Sequence, residues 1–213
     1  MAKINSKGII ALVALKGGSG KTTLCSCLGA ELFKQKKNIT LFDNDAQQSL
    51  TEWHSNDGEL TDIPLITDSS DKAVKKAQKI ANNSLVLVDT PGAMNSSVVD
   101  FMNIADVILI PCRGSGIDAR SALKTIETVK LINKERKKKA KIKVIMNAMS
   151  RASISGHIRN ELTSAGANVL GCEIGQRAIY SEAELSGTAP CFMGSFGSKA
   201  TDEIKALSVE LFR

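Results

Sequence analysis

Apolar residues in this chain come in short unbroken runs, and the segments between the runs carry a helical period. A run that is apolar at every position fits a strand covered on both faces, as in a parallel sheet. The first strand is expected over Ile4–Ala14. Further strands are expected over Ile39–Asp43, Leu85–Asp89, Asp106–Pro111 and Ile142–Asn147, with weaker ones over Ile63–Ile66 and Asn168–Ile174. Between them, Thr22 to about Lys36 places Leu24, Leu28, Leu32 and Phe33 on one helical face. Asp71–Asn82 turns Ala73, Val74, Ala77, Ile80 and Ala81 inward. Asn95–Ala105, Ile117–Arg136, Ser155–Ala165, Arg177–Leu185 and Ala200–Phe212 complete the expected helices. Residues 54 to 62, with Asn56-Asp57-Gly58, read as a loop. Strand and helix alternate throughout. The expected fold is therefore α/β: a three-layer, doubly wound, mostly parallel sheet with helices on both faces. No linker or repeat divides residues 1–213, so one domain is expected.

Composition changes this picture little. No apolar run approaches the roughly 20 residues that span a bilayer. Met1–Lys7 is short and polar, so no signal peptide is expected and the place of action is read as the cytoplasm. The five cysteines are scattered, and Cys25 and Cys27 match no zinc or redox spacing; reduced, buried thiols are the reading. His54 and His157 have no second ligand at metal spacing. The formal charge of +6 is compatible with nucleic acid, lipid or nucleotide phosphates. An aromatic content of 4% argues against stacking on unpaired bases.

The chemistry is concentrated where the first strand meets the first helix. Lys16-Gly17-Gly18-Ser19-Gly20-Lys21-Thr22-Thr23 has the strand, glycine turn, helix layout of a phosphate-binding loop. Glycines let backbone N–H groups turn toward an anion, and the helix N-terminus adds its positive end. Lys21 would reach the β- and γ-phosphates, and the Thr22 hydroxyl would hold Mg²⁺. Two apolar strands then end in acids, Asp43-Asn44-Asp45 and Asp89, on the sheet edge where ligands of such folds sit. Asp43 and Asp89 can hold Mg²⁺ or its waters, and a carboxylate of the Asp43/Asp45 pair can orient an attacking water. Gly92, after Asp89-Thr90-Pro91, allows close approach of backbone to a γ-phosphate.

The ordinary G-x-x-x-x-G-K-S/T pattern fails at Leu15, and a second lysine, Lys16, stands at the loop entrance. K-G-G-x-G-K-T-T resembles the deviant Walker A box of the ParA/MinD ATPases, a branch of the P-loop NTPases. That resemblance implies an ATP-sandwich homodimer in which Lys16 reaches the partner's nucleotide. It also implies that Asp45, in the D-x-D-x-Q stretch Asp43–Gln47, positions the hydrolytic water; Ala46 stands where the family has proline. Asn147 matches the family's adenine-contacting Asn, and Pro111-Cys112 its adenine wall. Gln176-Arg177-Ala178-Ile179-Tyr180 resembles a stretch of small plasmid-partition ParA proteins that lies near the nucleotide. The implied cofactors are ATP and Mg²⁺. The implied partners are a ParB-type centromere-binding or cargo-adaptor protein and nonspecific double-stranded DNA, with nucleoid association when ATP is bound. The rivals are a membrane-cycling MinD-like ATPase and an ATPase serving conjugative transfer or protein-cargo positioning. The terminal Ile204–Arg213 carries Glu210 and few cations, so no membrane binding is expected. Arg151, Arg159, Lys199, Lys205 and Arg213 are candidate DNA contacts. The run Lys134–Lys141 is read as a solvated helix end rather than a phosphate-binding patch.

Overall fold

The computed structural model describes residues 7–150 and 154–212. Its elements in chain order are β1 (Gly8–Leu12), α1 (Lys21–Lys34), β2 (Ile39–Asp43), α2 (Ser49–Ser55), β3 (Leu65–Thr67), α3 (Ala73–Ala81), β4 (Leu85–Asp89) and α4 (Ser96–Ile104), followed by β5 (Val107–Cys112), α5 (Gly116–Glu135), β6 (Lys141–Met149), α6 (Ile154–Ser164), β7 (Val169–Gly175), α7 (Ile179–Leu185) and α8 (Ser198–Leu211). The strands form one sheet in the order β3-β2-β4-β1-β5-β6-β7, with every described pair parallel.

Alternation along each strand divides the apolar side chains between two cores. Ile10, Leu12, Leu41, Leu85 and Leu87 face α1, α2, α7 and α8; Ile9, Ala11, Val86, Val88 and Ile108 face α3 to α6. Phe42 meets Phe101 of α4 on the second side, ring centroids 5.7 Å apart. The continuous apolar runs are thus strands buried twice over, and the α/β layering read from sequence is the observed one.

Register sets the site. Leu12 of β1 lies beside Asp89 of β4, and Asp89 beside Asp43 of β2. The phosphate loop therefore leaves the middle of the sheet level with both acids. α1 begins directly after Gly20, whose φ is 90°, and no side chain caps its first turn. Its free N–H groups point into the loop.

Several boundaries differ from expectation. The β1 ladder starts at Gly8, and Ile4–Ser6 lie outside the described residues. β6 continues two residues past Asn147, through Ala148 at φ 51°. Part of the 54–62 loop is ordered as the end of α2 and as a 3-10 turn over Glu59–Asp62. α8 buries Ile204, Leu207 and Leu211 against the first core, so its apolar face belongs to the fold. Among the described residues, no helix is long and apolar enough to cross a membrane.

Candidate functional site

The loop is built for close backbone approach. Gly18 and Gly20 both have positive φ, 71° and 90°. A Cβ on Gly20 would stand 2.3 Å from Asn147 Nδ2. Asn147 itself donates to the Ser19 carbonyl at 2.7 Å and so braces the loop from β6. Lys21 is buried, and burial is the main influence lowering its pKa, opposed by the charges of Asp89 and Asp45. Among the described residues it has no ion pair within 4 Å. The Ser19 hydroxyl is buried with no hydrogen-bond partner. A cation and a hydroxyl without partners inside a glycine loop fit a bound phosphate.

The acid side is equally ordered. Thr22 donates to Asp89 Oδ2 at 2.6 Å. Asp89 Oδ1 is buried with no partner. Burial, against the opposing Thr22 bond and Lys21 charge, pushes the Asp89 carboxyl up to about 7, and the charges of Asp43 and Asp45 push the same way. An orphaned carboxylate oxygen beside a threonine hydroxyl is hard-oxygen chemistry and fits Mg²⁺ with its waters. Asp43, expected on the same side, is occupied elsewhere. Its Oδ1 accepts from Asp45 N at 3.0 Å, and its Oδ2 accepts from Thr51 N at 2.9 Å and Thr51 Oγ1 at 2.8 Å. It therefore holds the loop after β2 and the first turn of α2. Asp45 accepts from Gln47 N at 3.0 Å and is half-buried. Gly92 crosses the loop so closely that a Cβ would sit 3.0 Å from Gly17 Cα and 3.6 Å from Lys21 Nζ.

Beyond Gly20 opens a cavity of about 230 Å³ between the loop and the start of α7. Its lining includes Gly18–Gly20, Thr23, Asn147, Gln176, Arg177 and Tyr180. Arg177 is fixed by a two-nitrogen contact to Glu203 of α8. Pro111 is not among the lining residues; it is buried inside β5, level with Ile145. Arg113, one step past the strand, lines the cavity instead and donates to the Gly18 carbonyl at 3.2 Å. Lys16 is outside this cavity. Its amine pairs with Asp118 Oδ1 at 2.8 Å, in the first turn of α5, and half of its side chain remains exposed.

Three partners went unread in the sequence. Asn44 is buried, donates to the Asp68 carbonyl and accepts from Ser97, tying the loop after β2 to α4. Arg113 and Asp118 lie about a hundred residues from the loop they touch. Only a polar residue just past a strand end hinted at them. Of the proposed DNA contacts, Arg159 is engaged by the Leu170 carbonyl and Glu173. Lys199 and Lys205 are exposed, and Arg151 and Arg213 lie outside the described residues.

A glycine loop at the C-terminal edge of a parallel sheet, closed by a buried lysine and a threonine–aspartate pair, defines a P-loop nucleotide-binding domain. The chain belongs to the CobQ/CobB/MinD/ParA nucleotide binding domain family, whose match covers residues 10–191. It is 28% identical to "Maintenance of carboxysome distribution protein A" of Halothiobacillus neapolitanus over 211 residues, 97% of each chain. It is 27% identical to "Protein ParA" of Rhizobium radiobacter over 180 residues, 81% of this chain and 80% of that one. Its fold is that of McdA from Cyanothece, solved as a complex of a variant with ATP, with a TM-score of 0.80 at 18% identity over 98% of this chain and 97% of the other.

Proposed function

We propose that this chain is a Mg²⁺-dependent ATPase of the ParA/MinD kind, working as a nucleotide-switched dimer that positions a cargo. The observation that carries the reading is the pair of unsatisfied groups at the loop. Lys21 is buried with no ion pair within 4 Å among the described residues, and Asp89 Oδ1, at the end of β4, is buried with no hydrogen-bond partner. In this reading Gly17–Gly20 and Lys21 cradle the phosphates, Thr22 and Thr23 open the helix beneath them, and Asn147 with Arg177 and Tyr180 frames the base. Thr22 and Asp89 hold the ion, which would neutralise phosphate oxygens. Asp43 acts one step back, fixing the loop that carries Asp45. Asp45 accepts a hydrogen bond from the attacking water and orients it. Gly92 brings backbone toward the γ-phosphate. Lys16 completes the partner's site across the dimer.

For the cargo, the carboxysome-distribution relative aligns along nearly the whole of both chains, which favours a protein cargo. The ParA relative, matched over a shorter span, supports the alternative of DNA partition with a ParB-type protein. In both versions the ATP-bound dimer holds double-stranded DNA nonspecifically. A MinD-like membrane cycle is the less favoured version, because α8 spends its apolar face on the core.

The test is turnover of Asp45→Ala, with and without double-stranded DNA. The carboxylate acts on water in the transition state, so kcat should fall about a hundredfold while ATP affinity stays within a few-fold. Normal turnover would remove Asp45 from the mechanism.

A further inference from the structure

One groove lies apart from the nucleotide site. It has a volume of about 710 Å³ and runs between the 3-10 turn at Glu59–Asp62 and the segment after α7. Its lining includes four acids, Asp57, Glu59, Asp62 and Glu182, and neither lysine nor arginine. On a chain of net charge +6, that is a local reversal of sign. Its apolar part is Phe192, Met193 and Phe196. Phe196 is 88% exposed, and Leu185 at the end of α7 is 82% exposed. Phe196 shares the groove lining with the half-buried Phe192 and Met193, so its exposed ring belongs to an apolar patch and is not a lone surface residue. Thr188 also lines the groove, is 6% exposed, and its hydroxyl has no hydrogen-bond partner.

We infer that this groove docks a basic segment of a partner polypeptide, carrying lysine or arginine beside one large apolar anchor. The acids would pair with its cations, Phe196 and Met193 would cover the anchor, and Thr188 would meet a backbone or side-chain polar group. The groove's walls also lead to the nucleotide. α2, held by Asp43 at its start, fastens its other end to the groove wall through Trp53 to the Thr188 carbonyl at 3.0 Å, and Asn56 just beyond it donates to the Glu184 carbonyl at 3.0 Å. α7 presents Tyr180 to the cavity beside the loop and Glu182 to the groove. A segment seated here is thus connected to the Asp45 loop by one short helix. The regulatory meaning rests on the ATPase reading; the docking itself does not.

The experiment uses the full chain and two fluorescein-labelled pools of ten-residue peptides. One pool is rich in Lys and Arg with a single Leu, Phe or Trp; the other replaces every cation by Glu. Fluorescence anisotropy at low salt should show binding of the basic pool only. Glu59→Lys with Asp62→Lys should weaken it at least tenfold, and Phe196→Ser severalfold, while Glu127→Lys with Glu135→Lys on α5 changes it less than twofold. ATP affinity, measured separately, should be unchanged in all three variants. Equal binding of the acidic pool, no binding of the basic pool, or equal losses from the α5 control would overturn the inference. So would a nucleotide-independent dimer of the chain that Phe196→Ser dissolves, since a second copy would then be the occupant. Loss of ATP binding in the wild type would sink the ATPase reading and leave the groove standing.

Discussion

At the scale of single residues, the site keeps charge out of water before any ligand arrives. Asp89 shows the consequence most directly. Its carboxyl titrates near 7 in the folded chain, against 3.8 for an ordinary aspartate. Between those values the folded state holds a proton that the unfolded state has released. Folding stability from this group is therefore greatest in acid, falls as pH rises from about 4, and is fully lost above about 7. Asp89→Asn removes the ionisation and keeps an acceptor for Thr22. The ligand-free variant should melt several degrees higher than wild type at pH 8, with little difference near pH 4. Adding ATP and Mg²⁺ at pH 8 should reverse the order, because only the wild type gains the ion. Calorimetry across pH checks both halves; parallel melting curves at all pH values would mean that Asp89 is not a buried, strained carboxylate.

At the scale of elements, legibility depended on whether a segment was explained by its own residues. β1, β2, β4 and β5 were legible because a strand buried on both faces must be apolar throughout. The strand, glycine turn, helix layout of the loop was legible because its left-handed backbone at Gly18 and Gly20 calls for glycine. α2 was not. Its seven residues bury only Leu50 and Trp53, and its start is fixed by Gln48 in left-handed backbone and by the carboxylate of Asp43, which lies outside the helix. A strand-ending acid such as Asp43 reads as a metal ligand, and a sequence does not show which donors have already claimed it. The basic run after α5 makes the same point. Arg136 donates to the carbonyls of Met102 and Ala105, at 2.6 and 2.7 Å, and so closes the C-terminus of α4. Lys143 does the same for α8 through the Glu210 carbonyl. Replacing Arg136 by Met should cost about 1–3 kcal/mol, the worth of hydrogen bonds from a charged donor. Lys137→Ala and Lys139→Ala, on exposed side chains, should cost almost nothing. Denaturant melts would separate these; equal small effects from all three would return Arg136 to the solvated surface where sequence alone puts it.

At the scale of the whole molecule, the question is what Lys16 does in one chain and what it would do in two. A monomeric enzyme has Lys21 for its phosphates and no need of an entrance lysine. In the chain alone Lys16 rests on Asp118, whose Oδ2 also accepts from the Ser115 hydroxyl at the start of α5. Lys16 and the Ser115 hydroxyl together help hold the Asp118 carboxyl below its usual range, against its burial. The lysine end of that pair is half exposed, and such pairs contribute roughly 1 kcal/mol or less. A partner's triphosphate in a water-poor interface would draw the same amine far more strongly. The pair is thus a resting place that a dimer can empty at small cost. Lys16→Gln should leave ATP binding to the monomer within a few-fold of wild type and weaken the ATP-dependent dimer at least tenfold. DNA affinity should fall with it, because two modest basic patches gain from being held together. Asp118→Asn should act in the opposite sense, tightening the dimer a few-fold by freeing the lysine. Sedimentation velocity with ATP and Mg²⁺, in an Asp45→Ala background that should suppress turnover if Asp45 orients the water, measures both. If Lys16→Gln dimerises like its parent, Lys16 belongs to Asp118 alone, and the second lysine of the loop is a brace for α5 with no part in the partner's site.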